Sequence, residues 1–162
     1  MLFFLYICVN QSSIFMAYQL QLNLPEGWQT KTEICEDEYG AEITHLESHL
    51  YIEGKDRDEG MIDIYAGDTP EDTTAEDQAL SNYADIVGFD EDDPEDFNPI
   101  AKIRFNGKAA YGFEALCEDE SPMMFLATEV RKGVLVIICA AAPDDGKLQE
   151  VVSLVERNLR VK

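Results

Sequence analysis

The sequence predicts an α+β fold, a mainly antiparallel sheet with helices packed on it. Three observations predict this. Short apolar segments recur, some alternating with polar residues and some continuous, and turn residues separate them. Two longer segments carry apolar residues at helical spacing. The strand-like segments are joined by connections short enough for hairpins, which make neighbouring strands antiparallel.

Tyr18 to Leu24, "YQLQLNL", alternates as a half-buried strand does, and Pro25 and Gly27 end it. "QTKTEIC" over 29–35 follows Trp28, and "EDEYG" over 36–40 reads as a turn. "AEITHLE" and "HLYIEG" are expected as two short strands, followed by the acidic turn "DRDEG". "MIDIYAG", 61–67, alternates well.

The first helix comes next. Thr73 and Glu76 fit a capping box, in which hydroxyl and carboxylate each satisfy an orphan amide. Ala75, Ala79, Leu80, Tyr83, Ile86 and Val87 would form its apolar face, and Gly88 would close it in a left-handed conformation. After Pro99, "IAKIRF" and "KAAYGFEALCE" flank Asn106-Gly107, the dipeptide that best tolerates the positive φ angles of a two-residue hairpin turn. "MMFLATEVRK" and "VLVIICAAA" meet around Gly133, and the second is apolar throughout, as a strand covered on both faces would be. Pro143, Asp144 and Asp145 open a closing helix. Its buried face is expected from Leu148, Val151, Val152, Val155 and Leu159, with Arg157, Arg160 and Lys162 at its negative end.

The order of these elements is similar to that of the PsbP-like superfamily. The residues carrying the resemblance are "LPEGW" (Pro25, Gly27, Trp28), the middle helix, the run of hairpins, and Pro143 leading into the last helix. It covers roughly residues 17 to 161 and implies an α/β/α sandwich around an antiparallel sheet. It implies no shared catalytic residues, and members that act by binding other proteins. The acidic stretch described below lies outside that pattern. Residues 16–162 are expected to form one domain. Residues 1–15 read as an upstream extension, from a start codon placed too early, because Met16 opens "MAYQLQLNLPEGW". An added strand or a poor signal peptide are the alternatives. The apolar run Leu2 to Val9 is too short to span a bilayer, and no Lys or Arg precedes Lys31, as a signal peptide would want.

Charge narrows the function classes. Twelve Lys and Arg against 33 Asp and Glu give a formal charge of −21. Such a chain repels nucleic-acid phosphates and anionic lipid, which argues for no nucleic acid and no membrane, and it attracts cations and basic proteins. The densest cluster is "GFDEDDPEDFNP", 88–99, where Asp90, Glu91, Asp92, Asp93, Glu95 and Asp96 stand without a single Lys or Arg. A calcium loop is one candidate. Asp90 and Asp92 match its first two ligands, but Pro94 takes the third ligand position and Glu95 the place of the turn glycine. A looser cation site would use Asp90, Asp92, Asp93 and Asp96. Two like charges about 7 Å apart in water repel by only about 0.6 kcal/mol, so a solvated connector can carry the cluster with no metal. Docking of a basic protein is the remaining reading.

Other chemistry is thinner. The only histidines, His45 and His49, frame "HLESH"; on one continuous strand His45, Glu47 and His49 would share a face and could hold a zinc-like ion. A turn at Glu47-Ser48 would separate them. The four cysteines, Cys8, Cys35, Cys117 and Cys139, contain no CxxC, which excludes a zinc ribbon or redox motif; two disulfides are possible, and a reducing cytoplasm is the simpler expectation. Cys139 reads as a buried small hydrophobe. A Cys35–His45 pair is arithmetically available for nucleophilic chemistry, but nothing in the local sequence activates it. No GxSxG, GxGxxG or GxxxxGK[ST] occurs. Trp28 is expected to plug the core rather than stack on a ligand. The sequence therefore predicts a non-catalytic interaction or adaptor domain without a cofactor, binding a basic partner through Asp90–Asp96. An immunity-type inhibitor or nucleic-acid mimic, neutralising a basic toxin or nuclease, is the alternative, and a metal-binding protein the third.

Overall fold

The computed structural model describes residues 7–8 and 18–162. Its elements are β1 (Ile7–Cys8), β2 (Leu20–Leu22), β3 (Trp28–Glu36), β4 (Glu42–Leu50), β5 (Gly60–Asp68), α1 (Ala75–Ile86), β6 (Ala101–Phe105), β7 (Lys108–Leu116), β8 (Pro122–Arg131), β9 (Val134–Ala141), α2 (Asp145–Asn158) and β10 (Leu159–Val161). The main sheet runs β1-β3-β4-β5-β9-β8-β7-β6, with every pairing antiparallel. The α+β expectation holds. The reading of residues 1–15 lies outside the described residues, apart from the backbone of Ile7 and Cys8, which pairs with Glu36 and Cys35.

β9 is buried at all eight positions, as its unbroken apolar sequence requires of a central strand. On one side of the sheet Leu46, Ile62, Ile64, Val136 and Ile138 meet Leu148, Val151 and Val155 of α2. On the other side Phe113, Phe125, Ala127, Ile137 and Cys139 meet Ala75 and Ala79 of α1. The helices thus form outer layers on opposite faces. Asn106 and Gly107 both take positive φ, 51° and 75°, giving the tight β6–β7 turn.

Several local expectations shift. The capping box is Thr74 with Asp77, not Thr73 with Glu76. Both pairs satisfy the spacing; the later one sets Ala75 and Ala79 against the sheet. Leu80 and Val87 stay 38% and 48% exposed, and Asn82 takes the buried place, bonded to Gln78 (2.7 Å). β4 is one strand, without a turn at Glu47-Ser48. Ser48 points inward, where its hydroxyl pairs with Thr30 (2.8 Å) and with the Gln29 carbonyl (3.1 Å), so a polar residue is tolerated mid-strand.

The C-terminal helix ends at Asn158. Leu159–Val161 turn extended and pair with Leu20–Leu22, forming a separate two-stranded ribbon. Leu159 is buried there, and only Arg157 of the three expected cations lies in the last helical turn. "YQLQLNL" therefore contributes a short strand to this ribbon and none to the main sheet. Trp28 is half-buried against the α2-side core, its ring lying over Gly60.

Candidate functional site

Antiparallel pairing sets cross-strand neighbours on the same face. One row across the sheet is Lys31, Glu47, Asp63, Cys139, Phe125 and Phe113; the next is Glu33, His45, Tyr65, Ile137, Ala127 and Tyr111. Each row is polar on β3–β5 and apolar on β7–β9. Helix α1 packs on β7 and β8. The polar half of the same face, beyond α1, carries both histidines and a set of carboxylates. A groove of about 660 Å³ opens there, lined by His45, Glu47, Arg57, Asp58, Asp63 and Cys117 among others.

His45, Glu47 and His49 share this face, as one continuous strand demands. Their bonding differs. His49 gives Nε2 to Glu47 Oε1 and Nδ1 to Asp58 Oδ2, each at 2.7 Å. Partial burial opposes a charge on this ring, but the two hydrogen-bonded carboxylates outweigh it and raise the pKa above the ordinary value. His49 is thus an imidazolium clamp tying β4 to the 51–59 loop.

His45 is buried, its side chain only 9% exposed. Nε2 lies 2.8 Å from Asp63 Oδ1, and the ring stacks on Tyr65 with centroids 4.3 Å apart and planes within 3°. Its Nδ1 is buried without a hydrogen bond; Glu33 Oε1 is 3.5 Å away. Cys35 also approaches: ligand atoms of Glu33, Cys35 and His45 all lie within 4.8 Å of one another. Cys35 is disulfide-bonded, so the Cys35–His45 pair holds no thiolate in this state. Cys139 is buried, and desolvation first, then the Asp63 charge, drives its thiol pKa far upward, which keeps it inert. Glu33 and Asp63 were not foreseen as companions of His45. They lie 12 and 18 residues away and are joined to it by strand register alone.

The acidic stretch connects α1 to β6. Two successive turns order it, with Asp93 N–H donating to the Asp90 carbonyl (3.1 Å) and Phe97 N–H to the Pro94 carbonyl (2.9 Å). Side chains reinforce the first turn: Asp93 Oδ2 accepts from Asp90 N–H (2.9 Å) and Asp90 Oδ1 from Asp92 N–H (3.2 Å). Asp90, Glu91, Asp92, Glu95 and Asp96 are exposed and Asp93 is half-buried. Among the described residues no ion pair reaches any of the six. Phe89 and Phe97, 51% and 40% exposed, flank them, with Val87 beside them at 48%. The result is an ordered acidic ridge with apolar shoulders.

The fold and these two features define an antiparallel α+β protein with an acidic ridge on one connector and a histidine–carboxylate groove on an open sheet half. Its chain matches no known family and no curated protein. Its fold is similar to that of LpqN, involved in cell envelope biogenesis of Mycobacterium tuberculosis, with a TM-score of 0.50 and 11% identity over 97% of this chain and 90% of that one. A protein of Bacteroides thetaiotaomicron aligns at a TM-score of 0.46 and 12% identity over 88% of this chain; the chain spans 45% of that protein's length. At such identities the likeness is one of fold alone. Among the described residues no helix is long and apolar enough to cross a membrane.

Proposed function

We propose that this chain is a non-catalytic interaction domain of PsbP-like type that docks a basic protein segment on the ridge Asp90–Asp96. The observation supporting this reading is that six carboxylates are held in an ordered connector, between exposed Phe89 and Phe97, with no cation paired to them among the described residues. Unneutralised carboxylates steer and orient cationic partners, while adjacent aromatics supply the desolvated contact area that binding needs. A plain solvated connector would need neither the turns nor the apolar shoulders. We infer a cytoplasmic location from the cysteine spacing, on the condition that the Cys35 disulfide is a transient, reducible one.

The test is affinity capture from source cells with the wild type and with a variant carrying Asp90→Asn, Glu91→Gln, Asp92→Asn and Asp93→Asn. A basic protein retained at low salt, eluted at high salt and lost with the variant is the expected result. Equal recovery on both baits would refute docking at the ridge.

A further inference from the structure

We propose that reduction of the Cys35 disulfide turns the corner formed by Glu33, Cys35 and His45 into a binding site for one zinc-class divalent cation. This goes beyond the ridge and does not depend on it.

The preparation is in His45. Asp63 is a carboxylate and can only accept, so the 2.8 Å contact makes Nε2 the donor, and in the neutral ring Nδ1 then carries the lone pair. A carboxylate on the far nitrogen of a histidine is the usual second partner of a metal-ligating imidazole, fixing its tautomer and raising its basicity. Stacking on Tyr65 fixes the ring plane. The Nδ1 atom is buried without a hydrogen bond, a state that costs free energy unless something fills it.

The spacing suits an ion. The 3.5 Å between Nδ1 and Glu33 Oε1 is too long for a good hydrogen bond. Two ligands held about 2.1 Å from one tetrahedral ion lie about 3.4 Å apart. A thiolate at about 2.3 Å from the same ion would complete three protein ligands; the Cys35 sulfur already lies within 4.8 Å of the other two atoms. Glu33 keeps 17% of its side chain exposed, which gives solvent access and room for a water as fourth ligand. His49 takes no part, since both its nitrogens are occupied.

The chemistry balances. A dithiol reductant delivers two electrons and two protons, cleaves the S–S bond into two thiols and leaves as its own disulfide. The Cys35 thiol then loses its proton to solvent as its sulfur binds the cation, whose charge does not change. Cytosolic disulfides are characteristically transient and redox-sensing, so the same corner would report thiol status through metal occupancy.

The test uses the full chain and Co²⁺ as probe, under dithiol-reduced anaerobic conditions and after reoxidation. One equivalent bound with a thiolate-to-cobalt charge-transfer band, displaced by Zn²⁺ and absent from oxidised protein, is expected. Cys35→Ser should abolish the band, which separates Cys35 from Cys8, Cys117 and Cys139. Glu33→Gln, a partly exposed and isosteric change that leaves folding intact, should weaken binding at least tenfold. Asp63→Asn should weaken it 10- to 100-fold while the band persists at saturation, as a positioning residue requires. No thiolate band in the reduced wild type, or the same affinity in Glu33→Gln and Cys35→Ser as in wild type, would overturn the proposal.

Discussion

Neutralising the ridge should separate binding from folding, and the size of both effects follows from the structure. The perturbation is the fourfold change at Asp90, Glu91, Asp92 and Asp93. Asparagine keeps a side-chain carbonyl, so the bonds from Asp90 N–H to residue 93 and from Asp92 N–H to residue 90 persist. What the fold loses is repulsion worth about 0.6 kcal/mol per charge pair at about 7 Å, reduced further by salt. Stability should therefore stay within about 1 kcal/mol of wild type, on the favourable side. Binding responds differently. With one partner cation about 7 Å from each carboxylate, four lost attractions sum to about 2.4 kcal/mol, about 60-fold in affinity at low salt. At 0.15 M, with a screening length of about 8 Å, this falls to about 1 kcal/mol, about fivefold. Urea unfolding followed through the single tryptophan, Trp28, which packs against the α2-side core, reads the first number; titration of the captured partner reads the second. A stability loss above about 2 kcal/mol would show that the ridge carboxylates are structural, and would refute the separation.

Three further outcomes are expected. The stabilising effect of His49, measured as wild type minus His49→Gln, should be full below its unfolded pKa of about 6.5 and fade as pH rises through the raised folded value; a difference that grows with pH between about 5.5 and 8.5 would contradict the clamp, and taking the difference cancels the pH response of the other acids. Gly112→Ala should cost about 3 kcal/mol by urea unfolding, because its Cβ would sit 2.1 Å from the Phe125 carbonyl oxygen and force β7 from β8; a neutral result would refute the register. Thr74→Ala should cost about 1 kcal/mol and Thr73→Ala a few tenths; the reverse order would restore the sequence-based cap.

The hairpins were legible because their signals are local. Asn106-Gly107 dictates its turn, and the apolar run 134–141 announces a central strand. His45, Glu47 and His49 could be placed on one face because a strand's period is two. The corner around His45 was not legible, since Glu33 and Asp63 reach it through strand register, which sequence pattern does not state. The β2–β10 ribbon was missed for a related reason. Leu159 continues the helical apolar spacing of α2, and only pairing with Leu22 draws it into an extended conformation. The cap was misplaced by one residue because Thr73–Glu76 has the same spacing as the Thr74–Asp77 pair that forms the box.

The most direct measurement is the association rate of the captured partner as a function of ionic strength, for wild type and the ridge-neutralised variant side by side. Steep slowing with salt in the wild type, and a much flatter dependence in the variant, is the predicted result. Identical salt dependence in the two proteins, with binding lost instead when the groove residue Glu47 is replaced, would contradict the account.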